Sequence, residues 1–159
     1  MVDISRLPKP DEKSAVIFMG IPASGKSTFY KRYFSDTHTH INLDTLHTRN
    51  KEKLLLDASV ESGVSFVVDN TNPTVTDRER YIPVSKASGY RIYGYLFRGN
   101  ITDCIKRNSN RTGKARVPDR AITAVSSKME YPSFSEGFDY IFFVNQTDGD
   151  FEITEYSPV

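Results

Sequence analysis

Short segments rich in apolar residues alternate along this chain with longer segments in which apolar and polar residues are mixed. The short segments have the length of β-strands and lie at residues 14–19, 40–44, 64–68, 91–97 and 139–144. Strands that alternate with helices along a chain are typical of a mostly parallel sheet covered by helices on both faces. The pattern therefore predicts an α/β fold with a five-stranded, mostly parallel sheet.

The segments between the strands carry the start and stop signals of helices. Residues 28–34 are predicted to form the first helix, and Gly63 is placed to end the helix that follows the second strand. Thr74 and Asp77 have the spacing of a capping box, which starts a helix by satisfying its first backbone N–H groups. Pro83 lies within that predicted helix and is expected to kink or break it, since proline cannot donate a backbone hydrogen bond.

Composition and charge add a few limits. A chain of 159 residues is long enough for one domain with its own core, so we expect a single domain over residues 1–159 with a loose arm at residues 1–12. The net charge of +1 gives no general attraction for nucleic acid, so any polyanion site must depend on local clustering. The single Cys104 fits a reducing cytosol, and the sequence shows no secretory signal and no apolar run of membrane-spanning length. We therefore expect a cytoplasmic protein with no membrane contact.

The segment Gly20-Ile-Pro-Ala-Ser-Gly25-Lys26-Ser27 matches the phosphate-loop pattern G-x-x-x-x-G-K-[ST], and it lies between a predicted strand and a predicted helix. In such a loop the backbone N–H groups point at bound phosphates, and the helix N-terminus adds partial positive charge. Lys26 would reach the β- and γ-phosphates, and the Ser27 hydroxyl would contact Mg²⁺. The pattern predicts a site for ATP and Mg²⁺ whose nucleotide-binding residues are Gly20, Ile21, Pro22, Ala23, Ser24, Gly25, Lys26, Ser27 and Thr28.

Two aspartates end predicted strands at the edge where ligands of parallel sheets bind. Asp44 ends the second strand, where its carboxylate is suited to accept the proton of a hydroxyl group during phosphoryl transfer, or to cap the next helix. Asp69 ends the third strand, where it is suited to hold Mg²⁺, or to bond the backbone of its own turn. Both alternatives stay open at this point.

A basic stretch follows a helix that is predicted to begin near residue 101 and precedes a second helix that starts at Pro118. Arg107 and Arg111 are four residues apart and share a helix face. The stretch is interpreted either as a solvated basic face or, because Gly113 interrupts it, as a mobile lid over residues 107–117. A lid arginine can bind the transferred phosphoryl group through two hydrogen bonds and exclude water as the lid closes.

The chain resembles the kinase domain of the polynucleotide 5′-kinase/3′-phosphatases, of both the bacteriophage and the eukaryotic DNA-repair type. The segments that carry the resemblance are 20–28, 42–46, 67–73, 107–111 with 117–118, and 132–138. The resemblance implies the fold of the phosphate-loop (P-loop) kinases.

It also implies roles for individual residues. By this resemblance Asp44 is the general base, Lys26 and Ser27 contact phosphate and metal, Asp69 is an acid near the metal and the acceptor, and Arg107 and Arg111 contact the donor phosphates. His47 stands where the phage type has an arginine. Arg78 and Arg80 follow strand three, and both are expected either to contact acceptor phosphates or to be ordinary solvated helix residues. The predicted acceptor-binding residues are Asp44, His47, Asp69, Thr71, Asn72 and Arg78.

The function that the sequence favours is transfer of the ATP γ-phosphate to the 5′-hydroxyl end of DNA or RNA. A kinase for a small metabolite, such as a nucleoside or a sugar, is the first alternative, and the nearly balanced charge favours it. An ATP-binding switch or an RNA-processing accessory ATPase is the second alternative, and Asp44 argues against it because a switch needs no acceptor base. The choice between DNA and RNA and the oligomeric state stay open.

Overall fold

The computed structural model describes residues 2–147 and 149–157, which form a six-stranded sheet with helices on both faces. The strands are β1 (Ser14–Met19), β2 (Thr39–Ile41), β3 (Phe66–Val68), β4 (Arg91–Arg98), β5 (Tyr140–Thr147) and β6 (Asp150–Glu155). The helices are α1 (Lys26–Tyr33), α2 (Leu43–Leu46), α3 (Arg49–Ser62), α4 (Val75–Arg78), α5 (Ile82–Ala87), α6 (Ile101–Ser109) and α7 (Asp119–Lys128).

The strands follow one another across the sheet in the order β2-β3-β1-β4-β5-β6. The first five are parallel, as the alternation of strands and helices predicts, and their carboxyl ends meet at one edge of the sheet. The prediction of five strands was one short, because β6 pairs antiparallel with β5 through a hairpin. The α/β fold class is confirmed, with β6 as an added edge strand.

Two helix signals in the middle of the chain are confirmed. Thr74 and Asp77 form both hydrogen bonds of a capping box at the start of α4. The helix breaks after Arg78, and α5 begins at Ile82 with Pro83 in its first turn, where the missing N–H of proline is tolerated. Gly63 ends α3 in the left-handed conformation, with φ 72°.

Strand β2 is shorter than predicted, and this changes the setting of Asp44. The strand ends at Ile41, and Asn42 then caps α2 by accepting a hydrogen bond from the N–H of Thr45. Asparagine is among the best N-cap residues, so the helix begins before Asp44 is reached. Asp44 consequently lies in the first turn of α2. The prediction that Asp44 ends the second strand is wrong.

Two apolar layers cover the sheet. Aromatic rings from α1 pack on one face, where Phe29 meets Phe18, Phe34, Tyr95 and other rings at centroid distances of 5–6 Å. The other face is covered by α3 and α5 through side chains such as Leu56 and Ile82. None of the helices in the described part of the chain is long and apolar enough to cross a membrane.

The segment predicted to be a loose arm lies against the sheet. Val2 is buried in the aromatic layer, the Arg6 guanidinium donates to the carbonyl of Ile153 at 2.6 Å, and the Tyr95 hydroxyl donates to the carbonyl of Arg6 at 2.6 Å. Tyr93 also hydrogen bonds with Glu12. Residues 2–12 therefore contact the sheet through Val2, Arg6 and Glu12, while residues 3–5 and 9–11 are exposed.

Candidate active site

The phosphate loop connects β1 to α1 and depends on glycine at its last turn. Gly25 is the N-cap of α1 with φ 100°, a conformation that L side chains rarely adopt. A Cβ atom at this position would lie 2.6 Å from Oε1 of Gln146 and 3.1 Å from the ring of Phe151. Only glycine fits there, and as the N-cap it supplies no side-chain hydrogen bond to the first N–H groups of α1.

Lys26 is folded into the loop. Its side chain is only 8% exposed, and its ammonium group donates to the carbonyls of Gly20 and Ile21 at 2.9 and 2.7 Å. Burial lowers the pKa of Lys26 to about 8, while the charge of Asp69 acts in the opposite direction. The charge is held beside the loop by neutral carbonyls, which anionic phosphate oxygens would outcompete as partners.

Ser27 and Asp69 meet at the head of α1. The Ser27 hydroxyl donates to Oδ2 of Asp69 at 2.8 Å, and Nε2 of His40 donates to the same oxygen at 2.7 Å. The His40 ring is stacked on Tyr30 with 3.9 Å between ring centroids, so its direction is fixed. Asp69, at 2% exposure, is thus oriented toward Ser27 by a neighbour on the adjacent strand.

The segment from Asp69 to Asn72 ties three strand ends together. Nδ2 of Asn42 donates to the carbonyl of Asp69 at 2.7 Å, and the N–H of Gly20 donates to the carbonyl of Thr71 at 3.0 Å. Nδ2 of Asn72 donates to the carbonyl of Phe18 at 2.8 Å. The assignment of Asn72 to the acceptor set is corrected by this contact, because its buried amide satisfies the end of β1 and does not face the cleft.

Asp44 faces an open cleft together with the phosphate-loop residues. The helix-cap alternative for Asp44 is wrong, because Asn42 is the N-cap of α2 and the carboxylate of Asp44 is exposed. The cleft has a volume of about 220 Å³. It is lined by Pro22, Ala23, Lys26, Ser27, Asn42, Leu43, Asp44, Asp69, Asn70, Thr71, Arg111, Ala115 and Val117.

The segment predicted to be a lid covers one side of this cleft. Nε of Arg107 donates to the carbonyl of Ala23 in the phosphate loop at 2.7 Å, and Arg111 lines the cleft with Nη1 3.3 Å from the carbonyl of Ala115. Asn108 is fully buried and exchanges two hydrogen bonds with the backbone of Val117. The two ends of the segment are therefore fastened to each other, and Arg111 projects from the loop between them.

The remaining predicted site residues lie outside the cleft lining. Thr28 is exposed in the first turn of α1, and Ile21 is buried in a small apolar cluster with Cys104 and Ile122. His47 is exposed at the C-terminal end of α2 with φ 71°. The acceptor contact of His47 and the nucleotide contact of Thr28 stay predictions.

Both predictions made for Arg78 are wrong. It is fully buried, its Nε and Nη2 donate to the two carboxylate oxygens of Glu136 at 2.7 and 3.1 Å, and its Nη1 donates to the carbonyl of Asn72 at 3.0 Å. Both the acceptor contact and the solvated alternative are contradicted, because none of this guanidinium reaches solvent. Arg78 instead links Glu136, in the segment 133–137, to the backbone of Asn72.

We expect Arg78→Ala to lower the free energy of unfolding by about 3–5 kcal/mol, because it leaves the Glu136 carboxylate buried without its partner. Arg80→Ala is the matched control, since Arg80 is exposed and its ion pair with Asp77 lies near the surface, so its loss is expected to cost about 0–1 kcal/mol. Urea unfolding of both variants measures the difference. Equal effects of the two substitutions would contradict a structural role for the Arg78–Glu136 pair.

Comparison with known proteins supports the kinship that the motifs suggested. The chain is 30% identical over 140 residues to a protein of Acanthamoeba polyphaga mimivirus named a bifunctional polynucleotide phosphatase/kinase. It is 26% identical over 136 residues to the bifunctional polynucleotide phosphatase/kinase of Schizosaccharomyces pombe. These matches cover 84% and 82% of this chain and 33% of each relative, so the chain spans about a third of the length of the curated relatives it matches.

The fold has close counterparts among solved structures. An unliganded sugar kinase from Janibacter sp. superposes with a TM-score of 0.64 at 17% identity, covering 84% of this chain and 85% of that one. No protein-family model matches the chain. The predicted resemblance is confirmed: the chain has the fold of the P-loop kinases and is similar in sequence to a third of the length of two proteins named bifunctional polynucleotide phosphatase/kinases.

Proposed function

We propose that this protein transfers the γ-phosphate of ATP to the 5′-hydroxyl end of DNA or RNA. The observation that carries the proposal is the shared cleft of Lys26, Ser27, Asp69 and Asp44, in which a phosphate loop and an exposed carboxylate face the same space. A protein that only binds or hydrolyses nucleotide has no need of an acceptor carboxylate at this place. The names of the two sequence relatives support a polynucleotide as the acceptor.

The donor nucleotide would bind along the loop and the head of α1. Its phosphate oxygens would accept hydrogen bonds from the loop N–H groups and from Lys26, in place of the carbonyls that now hold the lysine. Ser27 and Asp69 fit Mg²⁺, because they bring a hydroxyl and a carboxylate oxygen within 2.8 Å of each other, and Mg²⁺ prefers oxygen ligands together with substrate phosphates. When bound, the ion would neutralise charge on the β- and γ-phosphates.

Asp44 would act on the acceptor. Its carboxylate accepts the proton of the 5′-hydroxyl as that oxygen forms its bond to the γ-phosphorus, and the bond from phosphorus to the β,γ-bridging oxygen breaks to release ADP. Lys26 and Arg111 would stabilise the charge that spreads over the transferred group. Holding hydroxyl and phosphate in line in one cleft supplies much of the rate by orientation alone.

A metabolite kinase is the second candidate, and two observations favour it. The cleft of about 220 Å³ is small, and the whole chain carries a net charge of only +1, which gives little attraction for a long polyanion. The same base and phosphate loop would serve a sugar or a nucleoside hydroxyl.

A single assay separates the two candidates. ATP labelled at the γ-phosphate is offered with DNA and RNA oligonucleotides that end in a 5′-hydroxyl, with the same oligonucleotides already phosphorylated at the 5′ end, and with a panel of nucleosides and sugars. We expect label only in the 5′-hydroxyl oligonucleotides. Label in a sugar or a nucleoside, with none in the oligonucleotides, would replace the proposed function by the metabolite kinase.

The lid arginine gives a further prediction. Arg111→Lys keeps the positive charge but loses the planar fork that can bind two phosphate oxygens at once, so it should lose most of the activity that Arg111→Ala loses. Steady-state transfer rates of the two variants and of Arg116→Lys, an exposed lid position, provide the comparison. Full activity of Arg111→Lys would mean that this position contributes positive charge alone.

A further inference from the structure

A buried carboxylate lies behind the cleft and is not explained by phosphate or nucleotide binding. Glu52 in α3 is 3% exposed and accepts three hydrogen bonds. Nη1 of Arg49 donates to its Oε1 at 2.8 Å, while Nδ2 of Asn70 and the hydroxyl of Tyr81 donate to its Oε2 at 2.8 and 3.0 Å. The charge is thus fully satisfied in a place where an unpaired carboxylate would be costly.

This network reaches the helix that carries Asp44. Asn70 directs its amide nitrogen at Glu52 and its Oδ1 at the backbone of α2, where it accepts a hydrogen bond from the N–H of Leu43 at 3.0 Å. Leu43 is the first residue of α2, and Asp44 follows it. The four-residue helix therefore has an attachment to the third strand besides its own cap at Asn42.

The geometry points to Glu52, Tyr81 and Asn70 as positioning residues for the Asp44 carboxylate, acting through the N–H of Leu43. This inference rests on the proposed function, since it assumes that Asp44 is the acceptor base. None of the three side chains needs to touch substrate.

Two features indicate that the hydrogen bonds among Glu52, Tyr81 and Asn70 hold these side chains in one geometry and do not merely fill space. Tyr81 is completely buried, and burial raises its pKa to about 12, so the hydroxyl keeps its proton and stays a donor to Glu52. The same hydroxyl oxygen accepts from Nη1 of Arg49 at 3.1 Å and lies 3.3 Å from Nδ2 of Asn70. A buried polar network that is fully satisfied has one preferred geometry, and that geometry fixes Asn70.

A one-turn helix has little stability of its own, so its position depends on such attachments. Misplacement of a reacting group by about 1 Å costs on the order of 10²-fold in rate. Losing the Asn70 contact would let α2 shift while the phosphate loop, on another strand, stays in place. The expected signature is a lower kcat for transfer with an unchanged affinity for ATP.

The test compares two buried tyrosines that each lose one hydroxyl. Tyr81→Phe removes the donor to Glu52, and Tyr90→Phe removes the hydroxyl that donates to the carbonyls of Ser59 and Val64, away from the cleft. We expect both variants to melt at lower temperature, and only Tyr81→Phe to lose about 10-fold or more in kcat. If Tyr81→Phe keeps the wild-type kcat, as Tyr90→Phe is expected to do, the positioning role is overturned.

A double-mutant cycle identifies the route of the effect. In an Asp44→Asn background, Tyr81→Phe should cause no further loss of kcat, because a residue that acts only by positioning Asp44 has nothing left to position. If the loss of kcat in the double variant equals the product of the losses in the two single variants, the inference is overturned. If Asp44→Asn by itself leaves kcat unchanged, the proposed function fails instead, so the two failures are distinguishable.

Discussion

Asp44→Asn is expected to reduce kcat for transfer to the acceptor by about 10²–10⁴-fold, the usual contribution of a general base. Asparagine keeps the shape of the side chain but cannot take the proton of the hydroxyl. The melting temperature should not change, because Asp44 is exposed and Asn42 makes the helix cap. ATP affinity should also persist, since Asp44 lies in α2 and not in the phosphate loop.

Asp57→Asn is the matched control for this substitution. Asp57 is an exposed aspartate of α3 whose ion pair with Lys53 is solvent-exposed, so the same change of charge is expected to have no effect on kcat. Rates, ATP dissociation constants and melting curves of both variants complete the comparison. An Asp44→Asn variant that loses stability and keeps its rate would show that the carboxylate is structural.

Lys26→Ala is expected to remove transfer, with a loss of about 10²-fold or more in kcat, because it deletes the donor that we propose stabilises the charge of the transferred group. Nucleotide affinity should fall as well. The effect on the free energy of unfolding should be modest, because the substitution has one destabilising and one stabilising consequence. The carbonyls of Gly20 and Ile21 lose a donor, and a buried ammonium group with a lowered pKa is removed.

The control for Lys26 is Lys31→Ala, on an exposed position of the same helix. Both variants lose one positive charge from α1, so any difference between them reports the position and not the net charge. Isothermal titration with ATP and a transfer assay measure the two quantities. Wild-type turnover in Lys26→Ala would remove the phosphate-loop interpretation.

The parts of the fold that depend on local chemistry could be predicted from the sequence. The apolar run at 14–19 is β1, and the phosphate loop is where its glycines and lysine place it. The capping box at Thr74 and the break at Pro83 follow from donors and acceptors within a few residues of each other. Such signals need no knowledge of the distant chain.

The parts that depend on distant contacts could not be predicted. Arg78 is paired with Glu136, 58 positions further along the chain, and nothing near Arg78 in the sequence distinguishes it from the exposed Arg80. The pairing of β2 with β3 brings His40 to Asp69, and no local pattern around His40 indicates this contact. Residues that become neighbours only across the sheet leave no local pattern.

For Asp44, the end of the preceding strand is predicted too late in the chain, but the side chain still lines the cleft. The strand was predicted to run on to residue 44, whereas Asn42 ends it early and starts α2. The carboxylate still reaches the cleft, because the carboxyl end of β2 lies at the same edge as the phosphate loop. The topology of the sheet, more than the exact end of the strand, determines which side chains share the site.

The proposed transfer of phosphate from ATP to a 5′-hydroxyl end in one cleft can be measured by single-turnover transfer of labelled γ-phosphate to a 5′-hydroxyl oligonucleotide, with the wild-type protein and Asp44→Asn in parallel. We predict label at the 5′ end with the wild type and a rate lower by about 10²-fold or more with Asp44→Asn. No label with the wild type, or equal rates for the two proteins, would contradict the proposed transfer with Asp44 as its base.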